Sequence, residues 1–257
     1  MHRAKVLGLR IDPISVKSAI ELIRRMVDQK CPGYVILRDA HGVVASQSDS
    51  ELRAAHHRAA LVLADGWPLV ALARLQGIHG ATQARGSDLL RELLAHAETT
   101  DWKIVIFGGD DRQSEVIEAR LREMYPRLHL CGSVVPPVMS AANLATGRYV
   151  SEVKSRNADV VLVALSSPKQ ELWMSSVHSS PAGAVLIGVG AAVNTVTGQV
   201  KESPLWLRRI GMEWMYRIMQ EPRRLVTRYL LVVPSFTLLI LREAIRTLVK
   251  KFRGRDR

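Results

Sequence analysis

Four short stretches carry side chains able to do chemistry, and each follows directly on an apolar run. They are "RDAHG" (38–42), "ADGWP" (64–68), "FGGDD" (107–111) and "SSPKQE" (166–171). Between them they offer two carboxylates, Asp39 and Asp65, the imidazole of His41, the amide of Gln170, the ammonium of Lys169 and the paired glycines Gly108 and Gly109. Gly-Gly lets a ligand approach the backbone closely, and the N-terminus of a following helix favours anions. His56 and His57, by contrast, fall on a predicted helix with no partner at ligand spacing and read as surface residues. One Asp-Gly at the end of a strand is usually only a turn. Four such stretches on the same edge of a sheet point to a binding site.

Several chemistries are poorly served. "GVGAAV" (188–193) has two of the three glycines of a dinucleotide loop but Val193 in place of the third, late in the chain, which speaks against a nicotinamide site. There is no P-loop, no His-Glu-x-x-His, no Gly-x-Ser-x-Gly and no Asp-x-Asp to carry a metal on a sugar nucleotide. Phosphate bound here would have to be neutralised by Arg, Lys and backbone N–H groups.

The elements that must position these residues follow from periodicity. Six apolar, β-branched runs at 34–37, 61–64, 104–107, 128–131, 159–165 and 184–190 predict strands. Helix-period segments at 14–28, 49–59, 68–76, 86–99, 112–124, 140–156 and 168–178 separate them, the last with Pro168 at a first helical position. Continuous apolar strands alternating with helices predict an α/β fold: a Rossmann-like, mostly parallel sheet with helices on both faces. Ligands then collect at the carboxyl ends of the strands.

The character changes near residue 200, so the division expected is an α/β core over 1–200 and a helical appendage over 201–257. The net charge is +12, and from residue 201 onward fourteen Lys and Arg face five Asp and Glu, so nine of those charges lie in the appendage. A basic segment of this kind implies an anionic partner. Tyr229–Leu241 carries no charge, but Pro234 interrupts it and it is too short for the roughly 20 apolar residues of a membrane-spanning helix. From Leu238 a helix would align Leu241, Ile245, Leu248, Val249 and Phe252 beside a stripe of Arg242, Arg246, Lys250 and Arg253. That is the pattern of an interfacial helix, and 229–257 is read as contacting a membrane surface, although core packing or a subunit interface in a homo-oligomer fits the same face. Nucleic acid is not expected as a partner, because the tryptophans fit helical packing better than an exposed stacking platform. Two cysteines, Cys31 and Cys131, make no disulfide framework, and the first fifteen residues have no signal-peptide core, which together predict a reducing compartment.

"ADGWPLV", "FGGDD", "ALSSPKQELW", "GVGAAVNTVTG" and "SPLWLRRIGMEWMYRIMQEPRRLVTRYL" resemble, in order, the successive motifs of the WecG/TagA/CpsF glycosyltransferases. The resemblance implies an inverting glycosyltransferase that needs no metal or other cofactor. It would move a sugar from a UDP-sugar to a polyprenyl-diphosphate-linked saccharide, peripherally on the cytoplasmic face of the plasma membrane, in surface-polysaccharide synthesis. It implies Asp65 as general base, and donor contacts from Gln170, Lys169, Arg85, Gly108 and Gly109. Asp39, His41 and Asn194 would line the sugar or acceptor pocket, and Arg217, Arg223, Arg224 and Arg228 would grip a diphosphate. Leu37-Arg38-Asp39 and Val193-Asn194 depart from the Thr-x-Asn and Phe-Asp of many members, so sugar recognition at the first position and any charged role at the second stay open. A non-catalytic nucleotide-sugar or anionic-lipid binder on the same fold is the competing reading.

Overall fold

In a computed structural model, residues 3–178, 183–209 and 211–253 are described, and the side chains of 111, 209, 224 and 246–253 lie outside that description. The chain opens with a hairpin that periodicity did not reveal, because its strands are only three residues long: β1 (Ala4–Val6) and β2 (Leu9–Ile11) pair antiparallel. Leu7 and Gly8 both take positive φ, the requirement of the tight turn that matches strand twist.

Helix α1 (Val16–Asp28), capped by the Ser15 hydroxyl, leads to β3 (Gly33–Arg38). There follow α2 (Ala40–Ser48), α3 (Ser50–Arg58), β4 (Leu61–Ala64), α4 (Trp67–Leu75) and α5 (Gly86–Thr100). The second half runs β5 (Ile104–Gly108), α6 (Asp111–Met124), β6 (Leu130–Val134), α7 (Ala141–Leu144), α8 (Arg148–Ser155), β7 (Val160–Ala164), α9 (Lys169–Val177), β8 (Val185–Gly188) and α10 (Ala192–Val196). The six strands β3–β8 form one parallel sheet in the order β4-β3-β8-β7-β5-β6, so all their carboxyl ends share one edge.

Alternation along the strands divides the core in two. Tyr34, Ile36, Val105, Phe107, Val161 and Val163 pack on one face with Trp173 and Met174 of α9, where Phe107 and Trp173 stack at 4.0 Å. Val35, Ile104, Ile106, Val160 and Leu162 pack on the other with Leu89, Leu90 and Leu93 of α5. Both faces being apolar, the strands read as continuous hydrophobic runs, and the fold is the α/β architecture the sequence implies.

Three local expectations change. The helix anticipated over 140–156 divides at Gly147, whose φ of 55° leaves the helical region, into α7 and α8. Pro168 precedes the first turn of α9 as its capping residue instead of standing inside it. His56 is fully buried on α3 and not at the surface; burial, with the Arg38 charge nearby, drops its pKa to about 3 and keeps it neutral.

The C-terminal segment forms α11 (Leu205–Arg209), α12 (Glu213–Gln220) and a long α13 (Pro222–Arg253). Pro234 does not interrupt α13, because it stands on the exposed side of a helix that continues past it. In consequence Leu225–Ile245 is 21 residues long with mean hydropathy 1.6, enough by length and composition alone to cross a membrane, contrary to the reading of 229–241 as too short. In this fold the helix is docked on the core, however: Leu225, Val232 and Phe236 are buried and Phe236 joins the same cluster as Tyr34 and Ile36.

Candidate active site

Asp65 is the first residue beyond β4, and its N–H donates to the Arg38 carbonyl at 2.9 Å, which continues the β3–β4 ladder by one step. One carboxylate oxygen accepts the Gly86 N–H at 2.9 Å, at the start of α5, and the Asp65 carbonyl accepts from the Gln83 amide. The main chain of Asp65 is thus held on two sides, and its carboxylate is oriented by the Gly86 N–H. Burial pushes its pKa up to about 6 against the pull of the Arg217 guanidinium; Asp39 pushes upward, the Gly86 N–H opposes, and Glu213 adds a smaller upward push. A carboxylate so placed changes protonation close to neutrality, which is what proton abstraction requires.

Asp39, one strand over, is both a helix cap and a charge partner. One of its oxygens accepts the Gly42 N–H at 2.8 Å to start α2, and the other meets the Arg228 guanidinium at 2.9 Å. The stretch "RDAHG" therefore begins a helix, and His41 stands in its first turn. Burial and then the Arg228 charge lower the His41 pKa, with Asp39 opposing, and its buried Nδ1 has no hydrogen-bond partner.

The appendage closes over these strand ends. A cavity of about 420 Å³ lies between the β3 and β4 termini below and α12–α13 above. Asp39, His41, Asp65, Arg85, Arg217 and Arg228 all line it. Arg85 joins core to appendage: its guanidinium meets Glu213 at 3.2 Å, Asp88 at 3.4 Å and the Arg208 carbonyl at 3.3 Å. Arg217 shares Glu213 at 3.1 Å. Four arginines (85, 208, 217, 228) thus face three carboxylates (39, 65, 213) around one chamber.

The remaining expected residues stand elsewhere. Gly108 and Gly109, at the end of β5, take φ of 111° and 89°, and a Cβ on Gly108 would lie 2.7 Å from the Ala164 carbonyl oxygen, so only glycine fits. Gln170 is 5% exposed; its side-chain oxygen accepts the Gly190 N–H at 2.9 Å, holding the turn after β8. Lys169 is half-buried beside it, and Asn194 is half-buried on α10; neither lines the cavity. Arg223 is exposed and also away from the cavity, and the Arg224 side chain lies outside the described residues. Glu171, in the first turn of α9, pairs with Arg38 at 3.3 Å with both side chains almost wholly buried. That pair joins β3 to α9, and so the cavity half of the sheet edge to the glycine half.

Sequence reasoning missed Trp67, Glu213, Trp214 and Tyr229, together with the apolar wall of α13. Tyr229, Val232, Val233, Phe236 and Ile240 follow the i, i+3, i+4, i+7, i+11 spacing of one helix face, a signal present in the sequence but masked by the apolar residues on the opposite face.

A family model described as the glycosyl transferase WecG/TagA/CpsF family matches residues 4–250. The chain is also similar to the N-acetylglucosaminyldiphosphoundecaprenol N-acetyl-beta-D-mannosaminyltransferase of Bacillus subtilis (strain 168). The two are 25% identical over 222 residues, 86% of this chain and 84% of that protein.

Proposed function

Since the chain belongs to the WecG/TagA/CpsF glycosyltransferase family, we propose that it transfers a sugar from a UDP-sugar, with inversion and without a metal ion, to a saccharide carried on a polyprenyl diphosphate. The observation that carries this reading is Asp65: a desolvated strand-end carboxylate with a pKa of about 6, aimed into a chamber lined by arginines. A pure binding protein has little use for such a group.

In the proposed reaction Asp65 takes the proton of the acceptor hydroxyl as that oxygen attacks the anomeric carbon. The bond from that carbon to the UDP oxygen breaks, and UDP leaves with its added charge. Inversion follows from a single displacement, and the β product in the relative's name accords with an α-linked nucleotide donor. Arg217 and Arg228 are assigned to the acceptor diphosphate, because the planar guanidinium binds paired oxygens. The donor is assigned to the edge formed by Gly108, Gly109, Lys169 and the Gln170–Gly190 turn, where backbone can approach a nucleotide closely. Support for metal independence is that cations of the protein itself surround the chamber.

The enzyme is assigned to the cytoplasmic face of the plasma membrane. Leu230, Leu231, Leu238, Leu241 and Ile245 are each at least half exposed on the outer side of α13, a face suited to the headgroup boundary. The basic residues expected beyond 245 lie outside the described side chains.

The test is transfer by the full-length protein in the presence of EDTA, with a panel of UDP-sugars and an N-acetylglucosaminyl-diphospholipid acceptor. UDP-N-acetylmannosamine comes first, as the relative's name directs. Transfer that is lost in Asp65→Asn supports the reading. UDP binding without transfer from any donor would overturn it in favour of a binding protein.

A further inference from the structure

The chamber above Asp65 is amphiphilic. Its charged residues crowd around the β3 and β4 ends and the first turns of α13, whereas farther along that helix the wall is Val232, Val233, Phe236 and Ile240 with Thr237, whose hydroxyl is bonded back to the Val233 carbonyl at 2.9 Å. Arg228 to Ile240 spans twelve residues, about 18 Å at about 1.5 Å per residue. Neither a nucleotide nor a saccharide gains from that apolar stretch, since their hydroxyls would lose water there without partners. At about 100° per residue, Val232, Val233, Phe236 and Ile240 point to one side of α13, and Leu230, Leu238, Leu241 and Ile245 point to the other. The inner face is therefore not the membrane-facing stripe. Val233 joins the two, because it lines the cavity and is still 52% exposed.

Resting on the transferase reading, we propose that the apolar end of this cavity is a binding site for the first isoprene units of the acceptor lipid, continuous with the arginines that hold its diphosphate. Cationic groups at one end and a hydrocarbon wall beginning one turn away match a prenyl diphosphate in both charge and polarity. The chain would enter past Val233, and the rest of it would stay in the bilayer beside Leu238 and Leu241. The site then selects acceptor by its lipid as well as by its sugar.

The test is calorimetric titration of the full-length protein, without detergent or UDP, with inorganic pyrophosphate and with farnesyl diphosphate. Farnesyl diphosphate is expected to bind at least tenfold more tightly. Phe236→Ala and Val233→Asp should remove that excess and leave pyrophosphate binding in place; Val233 is exposed enough for its variant to fold if Phe236→Ala does not. Leu238→Asp, on the opposite face, should retain the excess. Equal affinity for the two ligands, loss of the excess in Leu238→Asp alone, or equally effective competition by dodecylphosphocholine would each overturn the proposal. The transferase reading fails separately: sugar transfer with no farnesyl excess removes only the lipid site, and a cavity-dependent excess with no transfer from any UDP-sugar removes only the reaction.

Discussion

The two halves of the sheet's carboxyl edge are built on different physical principles. At β3 and β4 the edge carries charged side chains, Asp39 and Asp65, and is roofed by α12 and α13, so every charge there has a partner or a shifted pKa. At β5, β7 and β8 the edge is backbone: glycines with positive φ, an exposed Ser-Ser-Pro turn and a buried amide that holds a loop. The first arrangement suits a group that takes up a proton among cations; the second, in the proposed reading, would let the donor approach the backbone closely. Arg38 and Glu171, buried between them, keep the halves in register.

The sharpest way to break this contrast is Asp65→Asn, which should move activity and stability in opposite directions. Transfer should fall by about a thousandfold, the middle of the range for a lost general base. Asp65 has a folded pKa of about 6 against an ordinary 3.8, so its ionisation is disfavoured in the fold. Its favourable contribution to stability is complete below pH 3.8 and is lost as pH rises through 6. At pH 8 the asparagine variant should therefore melt at a higher temperature than the wild type, by the equivalent of about 1–2 kcal/mol, and near pH 3.5 the gain should vanish. Thermal melts at both pH values check it; a variant less stable at pH 8 would make Asp65 a structural residue.

Next in size is the tie between the halves. Glu171→Ala leaves the Arg38 guanidinium buried without its partner and should cost about 3–5 kcal/mol in denaturant unfolding. Arg38→Met combined with Glu171→Leu should recover most of that loss, since a packed apolar pair replaces the charges. A single-variant cost below about 1 kcal/mol, the scale of a surface pair, would mean that the two halves are held by something else.

Arg217→Ala has a smaller and more selective consequence. Arg217 pulls the Asp65 pKa down, so its removal should lift that pKa above 6. In the wild type kcat/KM should fall as pH drops through about 6; in the variant the fall should begin at higher pH, with about tenfold lower transfer at pH 7. An acid limb that does not move would separate Arg217 from the base and leave it a role in binding alone.

Much of this contrast is legible in the sequence itself. The six strands declare themselves because both faces of the sheet are covered, and Asp39, Asp65, Gly108 and Gln170 are found by following each strand to its end. What escaped was long-range. His56 looked like a surface residue because its partners, the β3 terminus and the hairpin side, are distant in sequence. The bond between the Gln170 amide and the Gly190 N–H escaped as well, because the two residues lie far apart in the chain. The cavity wall on α13 escaped for another reason: the helix is apolar on two opposite faces, so its periodicity fades into one hydrophobic run.

Gln170→Ala carries the smallest effect and sharpens the comparison most finely. Because its amide bonds the Gly190 N–H and does not reach the cavity, it acts on a ligand through the turn it holds. The Gly190 N–H also donates to the Val163 carbonyl at 3.1 Å and keeps that partner in the variant, so the loss is that of one ordinary hydrogen bond, about 0.5–1.5 kcal/mol. UDP affinity, measured by calorimetry without metal, should therefore weaken by about tenfold, which corresponds to about 1.4 kcal/mol. The acid limb of kcat/KM should stay near pH 6, because no charge near Asp65 has changed. Unaltered UDP affinity would move the donor off the β7–β8 edge, and a displaced acid limb would show that the glycine half sets the proton chemistry of the other.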